Sequence, residues 1–485
     1  MEQFNLKNKV LMGITLFSMF FGAGNLIFPP FLGAQAGTHA WIAFLGFAVS
    51  AVGIPVLGVI AVTVSGGLEK LASRVHPKFA FGYILLLYLA IGPCLAIPRT
   101  ASTSFSMAVL PFMPEGVSAS LPQLLYSLVF FSLAAVVAMH PEKLTEYLGK
   151  RLTPVLLLLI VVLFGASVIG VIRGNNILDP TGASPAGLYQ QGAAVQGFLD
   201  GYQTMDTLAA LNFGMIVILN IQAKGIKKEK TVIKETISAG WIAGIFLLVV
   251  YAMLNYVGKL SEIACPDAAN GTEVLVSMAD VLFGRMGTMI LAVIFVIACF
   301  NTCVGLFSCC GKYFAEVFPK PGYMGWVLIF AFVSMVIANV GLDQILKFSV
   351  PVLNAIYPMA ILLILLALLH PWIGRFQRIY PWSAVFCGIS SILTVMDQHG
   401  IILPGITLLI RKIPAYEAGF GWLLPTLAGA AAGILIDLIK REKNRGGNLC
   451  QFLILTTLRK REQHQNVPTL RFGLMRTRLR RKSRF

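Results

Sequence analysis

The 485-residue sequence predicts an all-α integral membrane protein with about twelve transmembrane helices. Its mean hydropathy is +0.79 and only 12% of its residues are charged, whereas about a quarter of the residues are charged in soluble domains. About twelve stretches approach the roughly 20 apolar residues that cross a bilayer. Two of them, the first and the sixth, are interrupted by glycine, proline or carboxylate residues, which indicates helices that are broken inside the membrane.

The apolar stretches follow one another with no soluble domain between them. The first is too long for a cleaved signal peptide and leads directly into the second. The eleventh is the shortest. In chain order the stretches lie at about residues 9–35, 40–64, 79–99, 121–139, 153–172, 194–222, 235–257, 286–311, 323–341, 345–369, 381–396 and 417–439. The longest polar interruptions are expected to be outer loops, at about residues 100–120, 173–193, 258–285 and 397–416.

The two interrupted stretches predict how the helices are organised. The breaks fall at residues 20–30 (FFGAGNLIFPP) and 200–206 (DGYQTMD). A lipid-facing helix must satisfy its own backbone hydrogen bonds, so such breaks are tolerated where they line a cavity. Their positions predict two five-helix units of inverted topology, at about residues 9–172 and 194–369, and two trailing helices at about 381–439. Together these elements form a predicted polytopic transporter domain, residues 1–445.

Lysine and arginine are unevenly distributed between alternate loops. If the N-terminus is cytoplasmic, the inner loops hold most of these residues outside the tail, so both termini are predicted to be cytoplasmic. The lysine-rich inner loop at residues 223–234 is expected to anchor this topology or to bind anionic lipid headgroups. Residues 446–485 contribute much of the net charge of +17, and this basic tail is expected to be disordered or surface-bound. Its spacing does not support nucleic-acid binding, and no obligate protein partner is evident.

Glycine-rich backbone at the first break could contact a ligand directly. Two glycines, Gly22 and Gly24, allow close approach, and a half-helix that begins near them would offer free N–H groups to a carboxylate. Carbonyl groups freed at residues 18–21 could hold a cation. Taken alone, this pattern is more typical of small-residue helix packing or of a kink at Pro29 and Pro30 than of a binding site.

Asp206 makes the second break the stronger indication of function. A carboxylate at the centre of a span costs about 2.5–3.5 kcal/mol on insertion scales, so it rarely faces lipid. Around it lie Gly201, Tyr202 and Thr204, which supply a hinge and polar groups, and Met205, which supplies an adaptable apolar surface. This mixture is expected of a pocket that holds both the polar end and the aliphatic side chain of an amino acid.

Two further groups of residues could complete a site. The eighth stretch contains Ala298, Asn301 and Thr302, whose oxygens could bind a hard cation or form interhelical hydrogen bonds. Arg99 follows two prolines near the predicted outer boundary. It could gate an outer vestibule or extend to the lipid headgroups, and the sequence slightly favours the second reading.

Three strings together identify a resemblance: FFGAGNLIFPP, GPCLAIPRTA and GYQTMDTLAALNFG. The chain resembles the bacterial branched-chain amino acid:cation symporter family over about residues 9–440, within the wider amino acid–polyamine–organocation superfamily. The resemblance implies uptake of leucine, isoleucine and valine across the bacterial cytoplasmic membrane. It also implies coupling to Na⁺ or H⁺, no other cofactor, and a fold of five plus five inverted helices.

The same resemblance implies roles for individual residues. The substrate-binding candidates are Gly22, Ala23, Gly24, Asn25, Gly201, Tyr202, Thr204, Met205 and Asp206. The candidates for a sodium site are Ser18, Phe21, Ala298, Asn301 and Thr302. Asn301 stands where the wider fold often has a hydroxyl, so the choice between sodium and proton stays open.

Other functions are less consistent with the sequence. A non-pumping ligand-gated channel or receptor would show a continuous polar stripe along several spans, and none is visible. A carrier for another small apolar amino acid is a closer alternative, because the same pocket chemistry would serve it. An enzyme is not expected, since the chain has no nucleophile elbow, phosphate-binding loop or zinc-binding helix motif.

Overall fold

Helices make up all the regular structure in the part of the chain that the structure describes. The structure is a computed structural model that describes residues 5–114, 116–140, 150–223, 225–226 and 228–441. Its α-helices are α1 (Leu6–Phe20), α2 (Ala23–Ala36), α3 (Ala40–Ala48), α4 (Ile54–Ser65), α5 (Leu68–Ser73), α6 (Pro77–Leu89), α7 (Ala96–Ala108), α8 (Ser120–Ala138), α9 (Thr153–Ile172), α10 (Tyr189–Asp200), α11 (Asp206–Ala223), α12 (Glu229–Lys259), α13 (Gly271–Phe283), α14 (Arg285–Val317), α15 (Tyr323–Ala338), α16 (Leu342–Ile373), α17 (Ile379–Gln398), α18 (Ile406–Arg411) and α19 (Leu423–Arg441).

The length and hydropathy of these helices confirm the predicted membrane class. Nine helical segments among the described residues are long and apolar enough to cross a membrane, or ten if one bent pair counts as a single span. The predicted count of about twelve stays a prediction. The chain separates into two units, Met1–Gly433 and Ile434–Phe485, and the candidate site lies in the first. The predicted basic tail at residues 446–485 lies outside the described residues.

The first predicted break is present between α1 and α2. The first helix ends at Phe20, the second begins at Ala23, and Gly22 between them has an extended backbone (φ −127°, ψ −153°). The side chain of Asn25 replaces the lost helical bond, because its Oδ1 accepts a hydrogen bond from the Gly22 N–H at 3.0 Å. Glycine tolerates this conformation, and the asparagine caps the new helix from inside.

The second predicted break is present between α10 and α11. A 3₁₀ turn, Gly201–Thr204, follows α10, and the two flanking helices are bent by 45°. Met205 adopts the left-handed conformation, with φ of 64°, before α11 begins at Asp206. The Thr204 hydroxyl donates to the Gly201 carbonyl at 2.8 Å and so closes the turn.

Backbone contacts at glycine hold both broken helices against their neighbours. A Cβ atom on Gly258 of α12 would lie 1.9 Å from the Pro30 carbonyl oxygen of α2. A Cβ atom on Gly46 of α3 would lie 1.8 Å from the Ala194 carbonyl oxygen of α10. Such distances are possible only without a side chain, as in the small-residue interfaces of membrane helices.

The outer loop predicted at residues 100–120 is wrong in its first part. The π turn Ala90–Cys94, with non-helical Gly92, connects α6 to α7, and α7 then continues to Ala108. Hydroxyl side chains are buried along α7 because they bond to their own helix; the Ser104 hydroxyl, for example, donates to the Thr100 carbonyl at 2.8 Å. The polar composition of this segment therefore led to the prediction of a loop where the structure has a buried helix.

The outer loop predicted at residues 258–285 also contains a helix, α13. Asn270 caps it, since its Oδ1 accepts from the N–H groups of Thr272 and Glu273 at 3.0 and 3.1 Å. Val274 and Leu275 are buried on the inner face of α13, which packs against α2 and α14. Because only one face is apolar, hydropathy averaged over the segment does not show the helix.

Candidate functional site

The two helix breaks meet at a narrow internal cavity of about 20 Å³, which has room for about one water molecule. A larger ligand therefore requires the surrounding helices to move apart. The lining residues come from α1, both breaks, the α6–α7 connection, α7, α11 and α14. They are Met19, Phe20, Gly22, Ala23, Gly24, Asn25, Ile91, Ala96, Arg99, Thr100, Thr204, Met205, Asp206, Ala209, Phe213, Thr302 and Leu306.

Asp206 connects the two breaks and α12 through hydrogen bonds. Its side chain is 1% exposed, and its Oδ2 accepts from Asn25 Nδ2 at 2.7 Å and from the Tyr251 hydroxyl at 2.7 Å. The Asn25 amide also donates to the Tyr251 hydroxyl. A buried carboxylate requires such donors to offset its lost hydration. The carboxylate is therefore a cross-link between helices as well as part of the cavity wall.

Tyr251 is a site residue that the sequence analysis missed. It is fully buried in the C-terminal third of α12, and its ring contacts Phe21 and Phe47. A hydroxyl inside an otherwise apolar span was the available signal. Its partners are separated from it by 45 and 226 positions, so no local pattern connects them.

The N-terminus of α2 presents backbone donors to the cavity. Ala23 and Gly24 form the first turn of this 14-residue helix and line the cavity. The first N–H groups of a helix have no intrahelical acceptor, and the helix dipole places partial positive charge there. This end of α2 can therefore bind an anionic group such as a carboxylate.

Arg99 lies inside the protein, so the prediction that it extends to lipid headgroups is wrong. Its side chain is 3% exposed, and its Nη1 donates to the Gln203 carbonyl at 3.0 Å. The guanidinium also lies 5.9 Å from the centre of the Phe28 ring. The kink at residues 90–94 accounts for the difference, because α7 continues into the protein where a straight helix was expected to end.

Arg99 approaches the backbone of α2 closely at Gly24. A Cβ atom there would lie 2.6 Å from Arg99 Nη2 and 3.0 Å from the Gln203 carbonyl oxygen. Gly22 has a similar constraint, since its Cβ atom would lie 2.6 Å from the Thr302 hydroxyl. Both glycines therefore let neighbouring polar groups reach the break.

We expect Gly24→Ala to lower the free energy of unfolding by about 1–3 kcal/mol, because the methyl group displaces Arg99 from the Gln203 carbonyl. Thermal unfolding of the detergent-purified protein measures the effect. Gly82→Ala is the matched control, since a Cβ atom at Gly82 of α6 has nothing within 4 Å. Equal unfolding midpoints in the two variants would contradict the contact between Gly24 and Arg99.

The candidate sodium residues lie in α1, in the first break and in α14, which pack against each other. Ser18, Phe21, Ala298 and Asn301 are fully buried. The Ser18 hydroxyl, the Asn301 side-chain oxygen and the Thr302 hydroxyl have no hydrogen-bond partner among the described residues. Buried oxygens without donors are the type of ligand that a hard cation such as sodium takes, although the Asn301 side-chain nitrogen is also unpartnered among the described residues.

Two substrate-binding candidates of the second break do not line the cavity. The ring of Tyr202 stacks on Tyr357, with centroids 4.4 Å apart, and lines a neighbouring cavity of about 50 Å³. A Cβ atom on Gly201 would lie 1.9 Å from the Ser50 hydroxyl oxygen, so Gly201 permits helix packing. The candidates that the structure brings to one cavity are Gly22, Ala23, Gly24, Asn25, Thr204, Met205 and Asp206.

Comparison with other proteins identifies a family. A family model described as "Branched-chain amino acid transport protein" matches residues 5–440. The chain is 37% identical over 436 residues to the branched-chain amino acid permease BrnQ of Bacillus subtilis (strain 168). The matched region covers 89% of this chain and 97% of that relative. It is 38% identical over 432 residues to the branched-chain amino acid transport system 2 carrier protein of Pseudomonas aeruginosa. That match covers 88% of this chain and 95% of the relative.

A solved structure shares the fold. The crystal structure of MhsT in complex with L-phenylalanine superposes with a TM-score of 0.53, at 14% identity, over 90% of this chain and 99% of that one. Similarity at this level shows the architecture alone. It confirms the predicted all-α membrane fold.

Proposed function

The chain belongs to the branched-chain amino acid transport protein family, and on that premise we propose that it is a symporter that imports leucine, isoleucine and valine. It is a multi-pass membrane transporter and not an enzyme. In the proposed cycle, Na⁺ or H⁺ enters with the amino acid by alternating access. The protein would lie in the bacterial cytoplasmic membrane with both termini in the cytoplasm.

The cavity between the two helix breaks is the observation that carries this proposal. Its polar part combines the N-terminus of α2 with two charged side chains of opposite sign, Arg99 and Asp206. An amino acid zwitterion also carries one charge of each sign, so it can enter this wall without leaving a net buried charge. The unwound backbone of both breaks supplies further donors and acceptors for its polar end.

The remaining wall suits an aliphatic side chain. Phe20, Phe213 and Leu306 are buried and line the cavity, and Met205 adds a flexible thioether. Apolar burial contributes about 25 cal/mol for each Å² removed from water, so leucine, isoleucine and valine gain affinity that glycine does not. Among the described lining residues, Arg99 and Asp206 are the only charged side chains. The apolar part of the wall therefore has no charged partner for a substrate with a polar side chain.

We expect Met205→Trp to weaken leucine binding by about 10- to 100-fold, because the larger ring occupies the space of the substrate side chain. Equilibrium binding of labelled leucine to the purified protein measures this. Met215→Trp is the matched control, since Met215 lies on the same helix, is 45% exposed and does not line the cavity. Wild-type affinity in Met205→Trp would argue against this position for the substrate.

Two coupling ions are consistent with the residues present. Sodium would be held between α1 and α14, and its charge would draw the oxygens of these two helices together. The residues that would hold it are Ser18, Phe21, Ala298, Asn301 and Thr302. A proton would be carried by Asp206, the buried carboxylate at the second break. Either ion contributes about 2.3 kcal/mol per charge for each 100 mV of membrane potential, in addition to its concentration gradient.

Labelled-leucine uptake into proteoliposomes tests the function and the ion together. We expect accumulation above equilibrium when a sodium gradient or a pH gradient is imposed. Sodium dependence would support the α1–α14 residues, and dependence on pH alone would support Asp206. Leucine flux that never exceeds equilibrium under either gradient would support a non-pumping channel instead, and an ionophore that collapses the gradient is the control.

A further inference from the structure

Arg99 carries the single positive side-chain charge among the described residues that line the cavity. An arginine inside a membrane protein is rare, costly and usually functional. Its Nη1 is held by the Gln203 carbonyl, which belongs to the turn between α10 and α11. This bond fixes the guanidinium at the second break. The opposite edge of the guanidinium, formed by Nε and Nη2, then points toward the first break.

That edge has no protein acceptor among the described residues. Nε is buried and unpartnered, and Nη2 lies next to Gly24, where a Cβ atom would be only 2.6 Å away. The Nε–Nη2 edge of a guanidinium presents two parallel donors with the spacing of the two oxygens of a carboxylate. A carboxylate at this place would make both hydrogen bonds while the Gln203 bond remains.

The electrostatics also favour an anion between α2 and Arg99. Gly24 belongs to the first turn of α2, which is the positive end of the helix dipole, so two positive poles face each other in a buried site. Asp206 is the other charged side chain of the described lining, but its Oδ2 already accepts from Asn25 and Tyr251. A ligand carboxylate between α2 and Arg99 would be attracted by both poles.

We propose that Arg99 binds the α-carboxylate of the transported amino acid together with the N-terminus of α2. This inference rests on the proposed function, because it assigns one end of that substrate. Arg99 is then a specificity-determining residue that requires a free carboxylate, whereas the apolar wall selects the side chain. Lysine would replace it poorly, because a single ammonium cannot bond to Gln203 and also present a parallel pair of donors.

Competition binding to the purified full-length protein tests the proposal. The probes are leucine and leucinamide, which has the same side chain and amino group but no carboxylate. We expect the wild type to prefer leucine by about 10- to 100-fold, as for a charge-assisted pair of hydrogen bonds. In Arg99→Gln, leucine affinity should fall by a similar factor while leucinamide affinity stays the same, so the preference disappears.

Arg99→Lys should retain part of the preference, and it provides a second variant if Arg99→Gln fails to fold. Arg173→Gln, at an exposed position that follows α9, is the control and should keep the wild-type preference. An Arg99 variant that binds leucine with the wild-type preference over leucinamide would overturn the proposal. If the wild type binds another amino acid instead, the proposed substrate is wrong, and that amino acid and its amide then give the same test of Arg99.

Discussion

Asp206→Asn is expected to abolish gradient-driven accumulation of leucine in proteoliposomes. The neutral amide has the same shape, but it removes the negative charge that faces Arg99 across the cavity and weakens the bonds from Asn25 and Tyr251. Hydrogen bonds to a charged group contribute about 1.5–3 kcal/mol, so the neutral amide weakens the link between the two breaks and α12 as well as removing a charge that an ion could use. Uptake with an imposed ion gradient, measured over time, gives the result.

Leucine exchange without a gradient separates the two contributions of Asp206. Retained exchange with lost accumulation would assign Asp206 to ion coupling. Loss of both would assign it to the link between the two breaks. Asp200→Asn is the matched control, because Asp200 accepts from Tyr189 and Gln196 at the end of α10 and does not line the cavity. Normal accumulation in Asp206→Asn would refute both roles.

Gly258→Ala is expected to have the largest effect on stability. The added methyl carbon would lie 1.9 Å from the Pro30 carbonyl oxygen and 2.6 Å from its carbon, and backbone atoms cannot rotate away. An ordinary van der Waals contact is about 3.5 Å long, so the helices α2 and α12 must separate by more than 1 Å to accept the methyl group. Overpacking of this kind costs about 1–3 kcal/mol and occasionally more, and we expect the upper part of that range.

The same separation should also impair transport. Asn25 lies on α2 and Tyr251 lies on α12, so their hydrogen bond and the shared bonds to Asp206 would lengthen together. Thermal unfolding of the detergent-purified protein and leucine uptake measure the two effects. Gly165→Ala is the control, because a Cβ atom at Gly165 of α9 has no neighbour within 4 Å. An unchanged unfolding midpoint in Gly258→Ala would contradict the close packing of α2 and α12.

The two breaks could be predicted because their causes are local. Glycine at 22 and 24 and the carboxylate at 206 are unfavourable in a continuous lipid-facing helix, whatever surrounds them. The same local reasoning failed for α7, whose hydroxyl groups look like a loop until their bonds to preceding carbonyls are known. It failed for α13 because a one-sided helix has a moderate average hydropathy.

The sequence alone determined the membrane class, the positions of both broken helices and Asp206 as the central carboxylate. These features depend on the free-energy cost of placing a polar group in hydrocarbon. That cost is a property of each residue and does not depend on its tertiary contacts. Only the tertiary structure decided that Arg99 faces the cavity, that Tyr251 shares Asp206 with Asn25, and that Tyr202 stacks on Tyr357 away from the cavity. Those contacts join residues up to 226 positions apart, and they depend on how the kink at residues 90–94 and the glycine interfaces orient whole helices.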